Sequence, residues 1–91
     1  MEKIDLLYKQ AIEIASLFHN KDELSIQISI SLLDDNHGFI AWTQFIVEDE
    51  LNNFVKSDIP KEEVVGEGST IENALTDLIN SYKQHYFKLN P

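Results

Sequence analysis

The chain of 91 residues is long enough for one domain, residues 1–91, with a small hydrophobic core. Its 16 acidic residues outnumber seven lysines, arginine is absent, and the net charge of −9 argues against binding to nucleic acid or to anionic membranes. The absence of cysteine excludes disulfides and thiolate metal sites.

The sequence contains no apolar run long enough to cross a membrane, and its first residues lead directly into an amphipathic pattern instead of a signal peptide. We therefore expect a cytoplasmic protein. The excess of carboxylates has two interpretations: it would attract a basic protein partner, or it would simply keep a small protein soluble.

Residues 2–19 are predicted to form an amphipathic helix. Apolar residues recur at steps of three and four positions, and polar residues occupy the opposite side. The apolar stripe consists of Ile4, Leu7, Tyr8, Ala11, Ile14, Ala15 and Phe18. The polar segment 19–23 ends the helix, where His19 is favourably placed for the helix dipole.

Residues 24–33 are predicted to form a strand, because isoleucines and leucine alternate with small polar residues. This alternation is typical of an antiparallel sheet that is covered on one face. Residues 34–38 are predicted to form a hairpin turn. The turn begins like a calcium loop, but Gly38 takes the fifth position and Phe45 the twelfth, so we interpret it as an ordinary turn.

The second predicted strand, residues 39–47, is apolar on both faces. One face carries Phe39, Ala41, Thr43, Phe45 and Val47, and the other carries Ile40, Trp42, Gln44 and Ile46. An exposed apolar patch of this kind often marks a partner surface, and tryptophan is enriched at interface hot spots. The outward set would thus bind a partner or form a homodimer through the second strand. Alternatively, the strand twists, or residues 49–59 cover it.

Negative charge follows this strand at residues 48–50. Leu51, Phe54 and Val55 then have helical spacing, which is compatible with a short helix or turn over 50–57. Pro60 favours an extended backbone before it, and residues 61–65 are predicted to form a short third strand. The acids at 48–50, 62, 63 and 67 are candidates for one negative surface.

The segment 64–75 is predicted to be a strand end, a glycine turn and the start of a helix. Gly66 and Gly68 allow a positive φ or a close backbone approach. Ser69 or Thr70 is the expected N-cap, and Ser69 with Glu72 has the spacing of a capping box. The loop lacks the length and the lysine of a phosphate-binding P-loop. The last helix is predicted over 70–88, with a buried stripe that includes Leu75, Leu78, Ile79 and Tyr82.

No catalytic constellation is found in the sequence. The chain has no Ser/His/Asp or Cys/His arrangement with usable spacing, and its histidines at 19, 37 and 85 lie on three separate elements. We therefore predict a protein that is not an enzyme, with no catalytic residue, cofactor or metal ligand.

The order helix, strand, strand, strand, helix predicts an α+β domain. Hairpin connections make the three-stranded sheet antiparallel, and each helix has one apolar face to pack on it. The predicted fold is a two-layer α-β-β-β-α arrangement with both helices on one face.

This order and the glycine segment resemble the double-stranded-RNA-binding domain, whose last helix begins with a G-x-G-x-S-K-K-x-A pattern. Gly66, Gly68 and Ala74 match that pattern, and Thr70 stands in place of its serine. The two lysines that contact RNA phosphates in the family correspond here to Ile71 and Glu72. The resemblance therefore implies the fold and argues against RNA binding. The same junction is similar, less closely, to that of HicB-type antitoxins.

These observations lead to a hypothesis of a small non-enzymatic protein that binds a basic protein partner. In its sharpest form, the protein is an inhibitor, of the kind found in phage and mobile elements, that mimics nucleic-acid charge. The alternatives are a nucleic-acid-binding domain or an antitoxin-like regulator. The candidate contacts are Asp34, Asp35, Trp42, Glu48, Asp49, Glu50, Glu62 and Glu63.

Overall fold

The computed structural model describes residues 2–33, 37–48, 51, 53–58 and 64–89. Within these residues the chain forms two helices and four strands. In chain order they are α1 (Glu2–His19), β1 (Ile26–Leu32), β2 (Phe39–Glu48), β3 (Phe54–Asp58), β4 (Val65–Gly68) and α2 (Ile71–Leu89), with a 3₁₀ turn at Glu23–Ser25 before β1.

The sheet is antiparallel and three strand positions wide, with β2 in the middle. We call each of these positions a lane. β1 pairs with one edge of β2, from Ile26 opposite Phe45 to Leu32 opposite Phe39. β3 and β4 follow each other along the other edge, because β3 pairs with the second half of β2 and β4 with the first half. The third lane is thus a single interrupted strand. Six residues, 59–64, separate its two parts opposite the one β2 residue Thr43.

Both helices pack on the same face of the sheet, as predicted. Alternate residues of β1 and β2 point into this layer, and the buried side chains form one core. Its members are Ala11, Ala15, Ile26, Ile28, Ala41, Val64, Ala74, Leu75, Leu78, Ile79 and Tyr82. The α+β class and the antiparallel sheet covered by two helices are therefore confirmed.

The third lane differs from its prediction in position. Residues 54–58 form β3, where a short helix or turn was expected, because pairing with Gln44–Glu48 overrides the helical spacing of three apolar residues. The third strand expected at 61–65 is found instead as β4, which begins at Val65 and contains both glycines. Residues 61–63 lie outside the described part of the chain.

The two glycines of β4 serve close packing and not a turn. Neither has a positive φ. A Cβ atom on Gly66 would lie 2.2 Å from the Ala74 carbonyl oxygen and 2.2 Å from the Leu78 nitrogen, and one on Gly68 would lie 2.7 Å from the Ala74 nitrogen. The backbone of α2 therefore lies directly against the backbone of β4, which only glycine allows.

The helix ends are capped by side chains and by a left-handed residue. Thr70 is the N-cap of α2, because its Oγ1 accepts a hydrogen bond from the Asn73 backbone N–H at 3.0 Å. The capping box expected between Ser69 and Glu72 is not formed; Ser69 instead accepts a hydrogen bond from the Asn73 side chain. At the end of α1, Asn20 has φ 54° and the Lys21 N–H bonds the Ser16 carbonyl, as in a Schellman motif.

Candidate protein-binding surface

One face of the sheet carries no helix among the residues that the structure describes. The strand register assigns its members, because side chains alternate between the two faces. We call this the helix-free face. It is formed by Gln27, Ser29 and Ser31 of β1, by Ile40, Trp42, Gln44 and Ile46 of β2, and by Val65 and Glu67 of β4.

Apolar side chains on the helix-free face run along the central strand. Trp42 lies opposite Ser29 on one side and opposite Val65 on the other, and its side chain is half-buried. Ile40 lies between Ser31 and Glu67 in the same way. The sequence therefore identified correctly which side chains of β2 face away from the helices.

A row of neutral polar groups borders this apolar stripe on β1. The Ser29 hydroxyl donates a hydrogen bond to Oε1 of Gln44, which lies diagonally across the two strands. Gln27 lies directly opposite Gln44. The β1 side of the face thus offers hydroxyl and amide groups, and the β2 side offers aliphatic and aromatic surface, which together resemble the mixed character of protein interfaces.

Most of the candidate acids lie outside the described residues, namely Asp34, Asp35, Asp49, Glu50, Glu62 and Glu63. Glu48 ends β2 opposite Phe54. Gly38, just before β2, and Glu48, its last residue, are separated by the length of a ten-residue strand, about 30 Å.

The register also separates Glu67 from Glu48. Glu67 lies opposite Ile40 on β4, and Glu48 lies eight residues further along β2, a separation of about 27 Å. The expectation that Glu67 shares one negative surface with Glu48 is therefore wrong, and Asp49, Glu50, Glu62 and Glu63 lie outside the described residues. The expectation relied on nearness in sequence, whereas the interrupted lane places Glu67 and Glu48 at opposite ends of the sheet.

A buried polar network connects both helices to β2, and the sequence reasoning did not find it. The Tyr82 hydroxyl lies 2.6 Å from Oγ1 of Thr43 and 2.8 Å from Nε2 of His19. Thr43 and Tyr82 are almost fully buried. A tyrosine on a predicted core stripe is a signal for such a network, because a buried hydroxyl needs a partner, but sequence alone does not select partners 39 and 63 residues away.

Aromatic rings surround this network. The His19 ring is perpendicular to that of Phe45 at a centroid distance of 5.2 Å, and Phe18 lies 5.3 Å from Tyr82. His19 thus bonds Tyr82 and packs against rings, whereas the sequence suggested only a favourable position for the helix dipole. The network fixes the end of α1 and the middle of α2 on the central strand, so its role is structural.

A cavity of about 470 Å³ lies beside the start of α2, lined by Ile4, Phe39, Ser69, Thr70, Ile71 and Glu72. It contains the two positions at which the RNA-binding domain has lysines. Ile71 is half-buried there, and Glu72 lies 3.7 Å from Nζ of Lys3 on α1. This end of α2 presents an apolar side chain and a carboxylate paired with Lys3 where that family presents lysines.

Among the described residues, no group of three or more histidine or acidic side chains is arranged to hold a metal ion. Neither α1 nor α2, within its described residues, combines the length and apolar character needed to cross a membrane.

Comparison with known proteins identifies no matching family, no matching curated protein and no matching solved structure. The resemblances to the double-stranded-RNA-binding domain and to HicB-type antitoxins therefore rest on the order of the elements and on the residues around Gly66 and Gly68.

Proposed function

We propose that the chain is a small non-enzymatic protein that binds a basic protein partner through the helix-free face. The observation that carries the proposal is the position of Trp42, at the centre of a sheet face on which neither helix packs, in a chain with a net charge of −9. Tryptophan is a frequent hot spot of protein interfaces, and negative charge accelerates the approach of a basic partner.

In this proposal the two parts of the surface have different roles. The apolar stripe of β2 supplies contact area, which governs how slowly the complex dissociates. The carboxylates at the strand ends and connections act at longer range and govern how fast the complex forms. Glu48 at the end of β2 and Glu67 on β4 lie about 27 Å apart along the sheet, a distance that suits an extended basic groove, such as one that binds a polynucleotide. A phage or mobile-element inhibitor that mimics nucleic-acid charge is the most specific version.

The contact part of the proposal is tested by affinity capture from the native host with the full chain as bait. We expect captured proteins that are basic and that are lost with Trp42→Ala. The matched control is Leu17→Ala, which removes an exposed apolar side chain on α1, away from the helix-free face. Circular dichroism would confirm that both variants are folded. Equal capture by both variants would contradict a role for Trp42.

The electrostatic part is tested by reversing residues 48–50 to lysine. The control reverses Asp5, Glu13 and Glu23, which are exposed on α1 or in the turn that follows it and change the net charge by the same amount. We expect slower association for the 48–50 variant, most clearly at low ionic strength, and a smaller effect for the control. If the two variants associate equally fast, total charge and not a defined surface attracts the partner.

Nucleic-acid binding is the alternative that the fold resemblance suggests, and a mobility-shift titration with duplex RNA and DNA at low salt distinguishes it. We expect no saturable binding, because the positions equivalent to the RNA-binding lysines are Ile71 and Glu72. Saturable binding of duplex at micromolar protein would replace the present proposal.

A further inference from the structure

We propose that the free edge of β1 pairs with β1 of a second copy of this chain, in antiparallel register about a twofold axis at Ser29. Within the described residues, β1 pairs with β2 alone and forms one edge of the sheet. Such an edge is a template for another strand unless charge, proline, a bulge or a covering element protects it. This inference does not depend on the proposed function.

The β1 edge lacks the usual protection. No charged residue, proline or glycine occurs between Leu24 and Leu33, in a chain in which a quarter of the residues are charged. The pairing of β1 with β2 continues without a bulge over seven residues. Leu24, in the turn just before β1, and Leu32, the last residue of β1, are 87% and 56% exposed. The edge is thus neutral, regular and flanked by exposed apolar side chains.

The hydrogen-bond pattern shows which backbone groups point outward. The Leu33 N–H bonds the Gly38 carbonyl at 3.0 Å, so Leu33 and Gly38 form a hydrogen-bonded pair next to the β1–β2 ladder. Because such pairs alternate in an antiparallel ladder, Gln27, Ser29 and Ser31 also bond toward β2. The N–H and C=O groups of the other β1 residues therefore point to the open edge, and these are Ile26, Ile28, Ile30 and Leu32.

One register gives all of these outward N–H and C=O groups a hydrogen-bond partner in the second copy. It also places similar side chains opposite each other. With Ser29 opposite Ser29 of the second copy, Ile28 faces Ile30 and Ile26 faces Leu32 across the axis. On the helix-free side, Gln27 faces Ser31. Within residues 26–32 every pair joins like with like, and none brings two charges together, although each copy carries −9. The contact is self-complementary, as an isologous dimer requires, and this selects a second copy over an unrelated strand.

Salt should favour self-association and weaken binding to a basic partner, so an experiment can contradict one of the two proposals without contradicting the other. Two copies of charge −9 repel each other, and salt screens that repulsion. Binding of the acidic chain to a basic partner weakens as salt rises. We expect sedimentation of the wild-type chain to show a mass that rises from 10.5 kDa toward twice that value with concentration, more readily at high ionic strength.

Cysteine substitution tests the register, because the chain has no cysteine of its own. At a non-hydrogen-bonded antiparallel pair the Cα atoms lie about 4.5 Å apart, which is within the range that a disulfide spans. Ser29→Cys should therefore form a disulfide-linked dimer under mild oxidation. The matched control is Ser31→Cys, whose symmetry copy lies four residues away along the strand, about 13 Å, and should remain a single chain.

Linkage of Ser29→Cys without linkage of Ser31→Cys, together with self-association of the wild-type chain, supports the proposal. Three results would overturn it: a wild-type mass of 10.5 kDa at every concentration and salt level, equal linkage of both variants, or linkage of neither. Because Ser31 is more exposed than Ser29, random collisions would favour the control variant. Far-UV circular dichroism of the reduced variants establishes that both have kept the fold.

Discussion

The two edges of this sheet are built from opposite kinds of sequence. The β1 edge is seven residues long, uncharged and unbroken in register. The opposite edge consists of β3 and β4, with five and four residues, and the six residues between them include a proline and three charges. Natural proteins commonly protect sheet edges with short strands, charges, prolines and interruptions. The comparison indicates that one edge is protected against pairing and the other is not.

The two edges also differ in what lies behind them. β4 carries Gly66 and Gly68, against which the α2 backbone packs directly, so this edge is fixed by the helix. Thr43, opposite the interruption, is tied to α2 through the Tyr82 hydroxyl. The interrupted edge therefore depends on tertiary contacts, whereas β1 is held by a regular ladder. Substitutions that disturb α2 should affect the interrupted edge first.

The largest expected effect is at the glycine contact between β4 and α2. In Gly66→Ala the added Cβ would meet backbone atoms of α2, which cannot move aside as a side chain can. We expect a loss of about 3 kcal/mol in the free energy of unfolding. Urea denaturation followed by circular dichroism measures this.

The control for Gly66→Ala is Glu67→Ala, the next residue of the same strand, whose exposed side chain can be shortened while its N–H keeps the bond to Asp77. It should change stability by no more than about 0.5 kcal/mol. Similar losses for the two variants would show that the helix is not packed on the strand backbone as described.

The second prediction concerns the Tyr82 hydroxyl, which joins both helices to β2 opposite the interruption. Tyr82→Phe removes it and leaves the buried Thr43 hydroxyl without this partner, so we expect a loss of about 2 kcal/mol. Adding Thr43→Val should recover part of the loss, because no polar group is then stranded. Thermal or urea denaturation of the single and double variants gives the comparison.

Tyr8→Phe is the matched control, since Tyr8 is half-buried on α1 and its hydroxyl makes no hydrogen bond within the described residues. It should be close to neutral. If Tyr8→Phe and Tyr82→Phe were equally destabilising, the network around Thr43 would not be what stabilises this edge.

The third prediction separates the two candidate caps of α2, the helix that supports the interrupted edge. Thr70→Ala removes the acceptor for the Asn73 N–H and should cost about 1 kcal/mol. Ser69→Ala removes only an exposed side-chain contact and should cost clearly less. The reverse order in denaturation experiments would identify Ser69, the other cap that the sequence allows, as the N-cap.

The smallest expected effect is on hydrogen exchange at the β1 edge, which shows directly whether the outward amides of β1 are unprotected. The Gln27 and Ser29 amides point toward β2 and should exchange slowly at all concentrations. The Ile28 and Ile30 amides point outward and should exchange fast in dilute solution and slower as concentration rises. NMR detection resolves single amides. Slow exchange of Ile28 and Ile30 in dilute solution would mean that the chain itself covers this edge.

Local sequence patterns predicted the elements correctly where they act alone and failed where pairing with a distant segment decides. The helical period of residues 2–19 and the alternation within 24–33 each predicted their element closely, although Leu24 and Ser25 belong to the 3₁₀ turn before β1. The helical spacing of Leu51, Phe54 and Val55 was compatible with a short helix or turn, but pairing with β2 made residues 54–58 a strand. Of the candidate contacts, Trp42 was assigned to the correct face, since one alternation along β2 decides it.

The sequence by itself determined the class of the fold, because periodicity, hairpin spacing and helix caps are properties of neighbouring residues. Only the tertiary structure decided how Gly66 and Gly68 are used, which partners the Tyr82 hydroxyl has, and that Glu67 and Glu48 lie at opposite ends of the sheet. Each of these depends on which distant segments pack together. A local sequence pattern carries no information about that choice, since the energy that favours it arises only when the segments meet.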